Sequence, residues 1–322
     1  MVGGEPMLAT ALTRLLSIDY PIIQGGMAWV AQAELAAAVA QAGGLGVIGA
    51  GNMPATDLRQ EVLRAKALTD RPFGVNVMLM SPHAEEVLQA VIDLGVPVVT
   101  TGAGNPGPYV QALKQHNIKL LPVVSSVALG KRLARLGVDA LIAEGWEAGG
   151  HIGDISTLAL VPQLVDAVDI PVVAAGGIAD ARGVVAALAL GAAGVQMGTR
   201  FICSSECTVH EAYKQAIVRA ADRDAIVTGY TTGHPVRALR NRFTRQYRDL
   251  EADGASLELL GEFGAGRLAQ AARDGDIAYG SVMAGQSAGL VQQIMPAQEI
   301  IQEIITGVRS LTHSLEVQLC QN

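Results

Sequence analysis

Eight short apolar runs recur along the first 200 residues, and each is followed by a stretch with helical character. The runs fall at 21–27, 45–51, 73–79, 96–101, 119–125, 140–144, 171–176 and 194–200. Helix-like segments lie between them at 34–41, 57–68, 84–94, 108–115, 127–136, 158–168 and 181–190. Gly43, Gly95, Gly137 and Gly191 close four of these segments, and glycine is favoured just past a helix end because it accepts the left-handed conformation. Strand–helix alternation on this scale implies a parallel sheet covered by helices. Eight units favour closure into a (β/α)8 TIM barrel, with an open doubly wound sheet as the alternative. Gly44-Leu45-Gly46-Val47-Ile48-Gly49 does fit the G-x-G-x-x-G pattern. A dinucleotide fingerprint, however, follows a strand and opens a helix, whereas these glycines follow a helix and enter a strand.

Composition tests this reading. The mean hydropathy is +0.33, high enough to raise a membrane span, which needs roughly 20 consecutive apolar residues. The charge-free stretch at 35–56 is broken by Gly43, Gly44, Gly46, Gly49, Gly51 and Pro54, so it reads as helix, turn and strand. Strands buried on both faces of a covered parallel sheet explain the hydropathy better. A formal charge of −7 argues against nonspecific binding to nucleic acid or to an anionic membrane. Cys203 and Cys207 are spaced C-x3-C and the third cysteine is Cys320. No second pair completes a zinc site, so no metal is expected and the thiols fit a reducing cytoplasm. The first ten residues lack a basic region followed by an apolar core, so no signal peptide is expected.

Beyond Arg200 the character changes. Charges concentrate at 206–262, with Arg237, Arg240, Arg242, Arg245 and Arg248 close together, and helical stretches at 210–221 and 267–273. Residues 203–280 are therefore expected to form a smaller, mainly helical subdomain over the barrel mouth. Residues 1–202 and 281–322 would form the barrel, with a last amphipathic helix at 298–309.

Barrel sites sit at the C-terminal ends of the strands. Here those ends are rich in glycine and poor in charge, which lets backbone approach a flat ligand. Gly176-Gly177 and Gly198-Thr199 follow the seventh and eighth strands, the usual barrel position for a phosphate. Asp180 is a plausible N-cap for the helix that follows. The most chemical segment is Glu144-Gly145-Trp146-Glu147-Ala148-Gly149-Gly150-His151-Ile152-Gly153. It places one histidine, able to give or take a proton near neutral pH, in a glycine-rich loop. His234 is the second histidine of interest. No Ser-His-Asp order, metal-binding histidine pair or P-loop lysine is present. With so few acid–base groups at the mouth, a cofactor that brings its own chemistry is expected.

Several motifs occur in order: Gln24-Gly25-Gly26-Met27-Ala28-Trp29, Asn76-Val77-Met78-Leu79, Glu144 through Gly153, Ala174-Ala175-Gly176-Gly177-Ile178, Gln196-Met197-Gly198-Thr199-Arg200-Phe201, Gly233-His234-Pro235-Val236-Arg237 and Gly280-Ser281-Val282-Met283-Ala284-Gly285-Gln286. Together they resemble the nitronate monooxygenase / FMN-dependent enoyl reductase superfamily, and within it the FabK-type enoyl-[acyl-carrier-protein] reductases. The resemblance runs from about Leu12 to Gly307; the segment Met1–Met7 lies outside it. It implies a TIM-barrel FMN enzyme that reduces the 2,3 double bond of an enoyl thioester with NADH or NADPH, in fatty-acid elongation. The alternative it implies is oxidation of alkyl nitronates by O2. The residues it would place around FMN are Gly26, Met27, Ala28, Asn76, Glu144, Gly149, Gly150, Gly176, Gly177, Gly198, Thr199, Met283, Ala284 and Gly285, with His151 catalytic. It further implies an acyl-carrier protein as substrate carrier and a homodimer, and leaves a monovalent-cation requirement open. The arginines of 203–280 would meet the acidic carrier or the dinucleotide phosphates, or else stand as solvated surface.

Overall fold

In the computed structural model, which describes residues 8–320, all eight apolar runs become strands. They are β1 (Ile22–Gln24), β2 (Val47–Gly51), β3 (Gly74–Met78), β4 (Val98–Gly102), β5 (Lys119–Val124) and β6 (Leu141–Glu144), followed by β8 (Val172–Ala175) and β9 (Gly194–Met197). A two-residue strand, β7 (Gly150–His151), lies outside this set. The expected segment Met1–Met7 lies outside the described residues. Neighbouring strands pair in parallel in the order β1-β9-β8-β6-β5-β4-β3-β2, and a parallel bridge from Ile23 to Leu45 joins the two ends. The result is a (β/α)8 TIM barrel. At the closing seam the buried Gln24 amide extends the ladder. Val47 N–H donates to Gln24 Oε1, and Gln24 Nε2 donates to the Val47 carbonyl, both at 3.1 Å. A side-chain amide here satisfies backbone groups that would otherwise be buried without partners.

Alternation sorts the strand residues into two cores. Ile23, Val47, Leu121, Ile142 and Val173 fill the barrel interior. Helix α1 (Ala11–Leu16), which the strand–helix pattern did not predict, contributes Leu12 and Leu16 to that interior cluster. Ile22, Ile48, Val75 and Val99 face outward into the larger core. Covering them are α2 (Ala33–Gln41), α3 (Ala55–Leu68), α4 (Ala84–Asp93), α5 (Val110–Gln115), α6 (Val127–Leu136), α7 (Thr157–Val165) and α8 (Ala181–Ala189). The four glycines expected to end helices all have positive φ, between 62° and 93°. After β9 come a short α9 (Thr199–Ile202) and, at the end of the described chain, α14 (Ala297–Cys320), which packs on α2 and α8 and buries Ile300, Ile301, Ile304, Ile305 and Val308. Among the described residues no helix is long and apolar enough to cross a membrane.

The 203–280 region holds α10 (Glu211–Val218), α11 (Arg242–Ala252), α12 (Leu257–Gly264) and α13 (Arg267–Asp274). Phe243, Tyr247 and Leu260 form a small core of its own, with the Arg267 guanidinium over the Phe243 and Phe263 rings. The region also contains a hairpin absent from the sequence expectation, β10 (Ala225–Thr228) and β11 (Val236–Leu239). Its inner strand pairs antiparallel with β7, matching Val236 to His151 and Arg237 to Gly150. A partner strand made of one glycine and one histidine carries no strand signal of its own.

Candidate active site

A cavity of about 440 Å³ opens at the C-terminal ends of the strands, between the barrel and the 203–280 region. His151 and all the residues expected around a flavin line it, except Asn76 and Ala284. Asn76 donates from Nδ2 to Thr100 Oγ1 at 2.9 Å, and Ala284 is buried behind Gly149. The lining also includes Trp29, Ile202, Tyr213, Leu268 and Ser287. Trp29 belongs to a motif noted in the sequence; Tyr213 and Leu268 come from the helical region, where their spacing does not distinguish cavity wall from core.

The glycines of the mouth answer two needs. Most let chain segments meet. A Cβ on Gly26 would lie 2.2 Å from Asn76 Cβ, one on Gly149 2.6 Å from the Gly285 nitrogen, and one on Gly285 2.7 Å from the Glu147 carbonyl. Gly198 differs, since its Cβ would meet only Met27 Sδ at 3.3 Å. Gly176 and Gly177 have φ of +96° and +76°, a conformation that side chains resist. Close packing of the chain against itself therefore accounts for most of the glycine ring. Side chains add cross-links: Thr199 Oγ1 accepts from Gly285 N–H at 2.9 Å and Tyr213 O–H donates to the Met283 carbonyl at 2.8 Å.

The 144–153 loop is held from both sides. On the barrel side the Glu147 carboxylate accepts from Thr157 N–H and Thr157 Oγ1, each at 2.9 Å, so its charge meets the positive start of α7. On the other side Arg237 enters from β11. It is 2% exposed, and it donates from Nε to the Ala148 carbonyl at 3.1 Å and from Nη2 to the Trp146 carbonyl at 2.9 Å. Its guanidinium lies 4.9 Å from the centre of the Trp146 ring. This corrects the expectation for Arg237, which is an internal strut and not a surface group for a carrier or a phosphate. Arg240 donates to the Arg223 carbonyl and Arg242 to Tyr279 Oη, while Arg245 and Arg248 are exposed on α11.

Two titratable groups face the cavity without a fixed partner. Partial burial, and then the nearby His234, hold the His151 imidazole below its ordinary value, so the ring is neutral at pH 7. Burial pushes the Glu144 carboxyl up to about 7 from an ordinary 4.5, and it makes no side-chain hydrogen bond with the described residues. The folded chain thus holds this proton more tightly than the unfolded chain. Its contribution to stability is complete below pH 4.5 and is lost as the pH rises through about 7. Glu144→Gln should therefore stabilise the ligand-free protein by about 1–3 kcal/mol at pH 8, with the gain vanishing near pH 4. Urea denaturation at the two pH values checks this.

At the expected phosphate position Asp180 caps α8, accepting from Arg182 N–H at 2.9 Å and Gly183 N–H at 3.4 Å. The second and third amides of α8 are therefore committed to the cap. The Gly177 and Thr199 amides make no hydrogen bond with the described residues and remain available to an anion. Cys203 and Cys207 are buried, and burial pushes their thiols up to about 12 and about 11, which leaves them unreactive. Among the described residues no group of three His, Cys, Asp or Glu is arranged to hold a metal ion.

A family model described as nitronate monooxygenase matches residues 9–307. The solved structure of FabK from Thermotoga maritima is 47% identical, covers 96% of this chain and 99% of its own, and superposes with a TM-score of 0.94. A Staphylococcus saprophyticus protein named "Probable nitronate monooxygenase" is 36% identical over 92% of this chain and 97% of its own length. A Mycobacterium tuberculosis protein named (3aS,4S,5R,7aS)-5-hydroxy-7a-methyl-1-oxo-octahydro-1H-indene-4-carboxyl-CoA dehydrogenase is 33% identical over 95% of this chain and 97% of its own.

Proposed function

The chain belongs to the nitronate monooxygenase family, and within that family we propose that it is an FMN-dependent enoyl-[acyl-carrier-protein] reductase that uses NADH or NADPH. The observation that carries this reading is the 47% identity to FabK sustained over 96% of the chain, against 36% and 33% over similar lengths, and 40% over 72% of the chain, for relatives named for other reactions. The cavity supports it as well. Its volume of about 440 Å³ falls in the range of small-molecule and cofactor sites. Its walls are largely glycine backbone and apolar side chains, and the free Gly177 and Thr199 amides suit a phosphate.

The residues present fit FMN. Gly177, Gly198 and Thr199 would hold the phosphate. Gly26, Met27, Ala28, Gly149, Gly150, Gly176, Met283 and Gly285 would enclose the ring system beside Glu144, with Asn76 and Ala284 supporting from behind. When bound, FMN supplies hydride transfer between the nicotinamide and the substrate. The chain's own contribution centres on His151. Neutral at pH 7, its ring can donate an N–H to the thioester carbonyl, stabilising the negative charge that develops on that oxygen; delivery of a proton to the α-carbon would require the imidazolium form. Tyr213, Thr199, Met283 and Gly285 form part of the wall around these groups.

The expected result is anaerobic NADH or NADPH consumption by the flavin-loaded protein that depends on a crotonyl thioester. Fast oxidation of propionate 3-nitronate with no thioester turnover would replace this reading with nitronate oxidation.

A further inference from the structure

We infer that Arg237 is a positioning residue for His151, and that through it the 203–280 region sets the placement of the histidine instead of merely roofing the cavity. The inference rests on the reading of His151 as the group that meets the substrate. Its grounds are geometric. β7, which carries His151, belongs to no barrel pairing; its only strand partner among the described residues is β11, in register Val236 to His151 and Arg237 to Gly150. The next residue continues the ladder, with Ile152 N–H donating to the Pro235 carbonyl at 3.1 Å.

One residue of β11 also reaches into the loop ahead of the histidine. Arg237 spans the carbonyls of Trp146 and Ala148 and packs on the Trp146 ring. A planar guanidinium can satisfy two carbonyls at fixed separation, and a lysine ammonium cannot do so in the same geometry. The same hairpin is anchored outward. Glu251 of α11 accepts from the Gly229 and Thr231 amides, both at 3.1 Å, and Tyr230 lies against Trp146 with ring centres 6.3 Å apart. Helix α11, the hairpin and the histidine loop therefore form one connected unit. A shift of the helical region would carry His151 with it, whereas the glycines on either side give the loop no stiffness of its own. Of the charged and titratable groups, Glu144 and Glu147 share the cavity lining with His151, His234 of the hairpin lies near enough to act on its charge, and Arg237 pairs with the adjacent Gly150.

The test compares Arg237→Lys and Arg237→Met with the parent, all flavin-loaded. Placement of the ring is read without substrate from the histidine 15N–1H NMR signals, assigned with His151→Asn. With Arg237 replaced by Met, the His151 signals should move. Thioester kcat should fall by about 10²-fold, the scale of a 1 Å misplacement, with KM changed less than threefold. Millimolar methylguanidinium should restore part of the loss. If Arg237→Met does not fold, Arg237→Lys carries the test with a smaller displacement in the same direction. Unmoved His151 signals in a folded variant overturn the inference, even where Tm or flavin retention has fallen. Moved signals without turnover in any form, the parent included, uphold the positioning role and count against the reductase reading.

Discussion

His151→Ala is expected to slow enoyl thioester turnover by roughly 10²–10⁴-fold, the usual contribution of a positioned general acid–base group. The effect should lie in the chemical step and not in stability. His151 is exposed at the cavity rim on the two-residue β7, and it makes no side-chain hydrogen bond with the described residues. Truncation therefore removes neither a buried contact nor a strut, and the strand pairing to β11 runs through backbone atoms that alanine keeps. Flavin absorbance and the unfolding midpoint should stay at parental values while single-turnover oxidation of the reduced enzyme by a thioester slows. Parental turnover in the variant would remove His151 from the reaction and return the search to Glu144.

The largest effect on folding is expected at a glycine remote from the chemistry. Gly46→Ala should cost about 3 kcal/mol or more, at or above the usual range for overpacking a well-packed interior. An added Cβ would lie 1.9 Å from the Ala36 carbonyl oxygen and 2.5 Å from the Ala36 Cα. The obstacle is backbone of α2, so no side-chain rotation relieves it, and α2 must move off β2. Urea denaturation should show a lowered midpoint with an unchanged slope; an unaltered midpoint would mean that α2 yields freely. The same packing explains the misleading G-x-G-x-x-G pattern. Cβ atoms on Gly44 and Gly49 would meet the Ile22 and Met27 carbonyls at 2.9 and 2.4 Å. The glycines admit neighbouring chain, not a dinucleotide.

Much of the barrel is legible in the chain because its strands are buried on both faces and its helices end at glycines, so each signal is local. The observed helices differ from the expected ones mainly at their ends; α6, Val127–Leu136, coincides with its expected range. The helical region is less legible. Charge hides α11, and the apolar residues Phe243, Tyr247 and Leu260 of α11 and α12 meet only in three dimensions. The hairpin goes unseen for the same reason, since β7 has no strand character until β11 lies beside it.

The candidate site divides along the same line. Sequence alone determined the eight strand–helix units, the glycine-rich strand ends and the single histidine in the 144–153 loop, because each depends on residue type and short spacing. Only the tertiary structure decided that Arg237 is buried inside that loop, that Glu147 is committed to α7, that Glu144 keeps its proton to about pH 7, and that most mouth glycines face other chain segments. Those properties come from burial and from contacts between residues far apart in the chain, such as Arg237 and Trp146, 91 positions apart. No local pattern encodes a dielectric environment or a distant carbonyl.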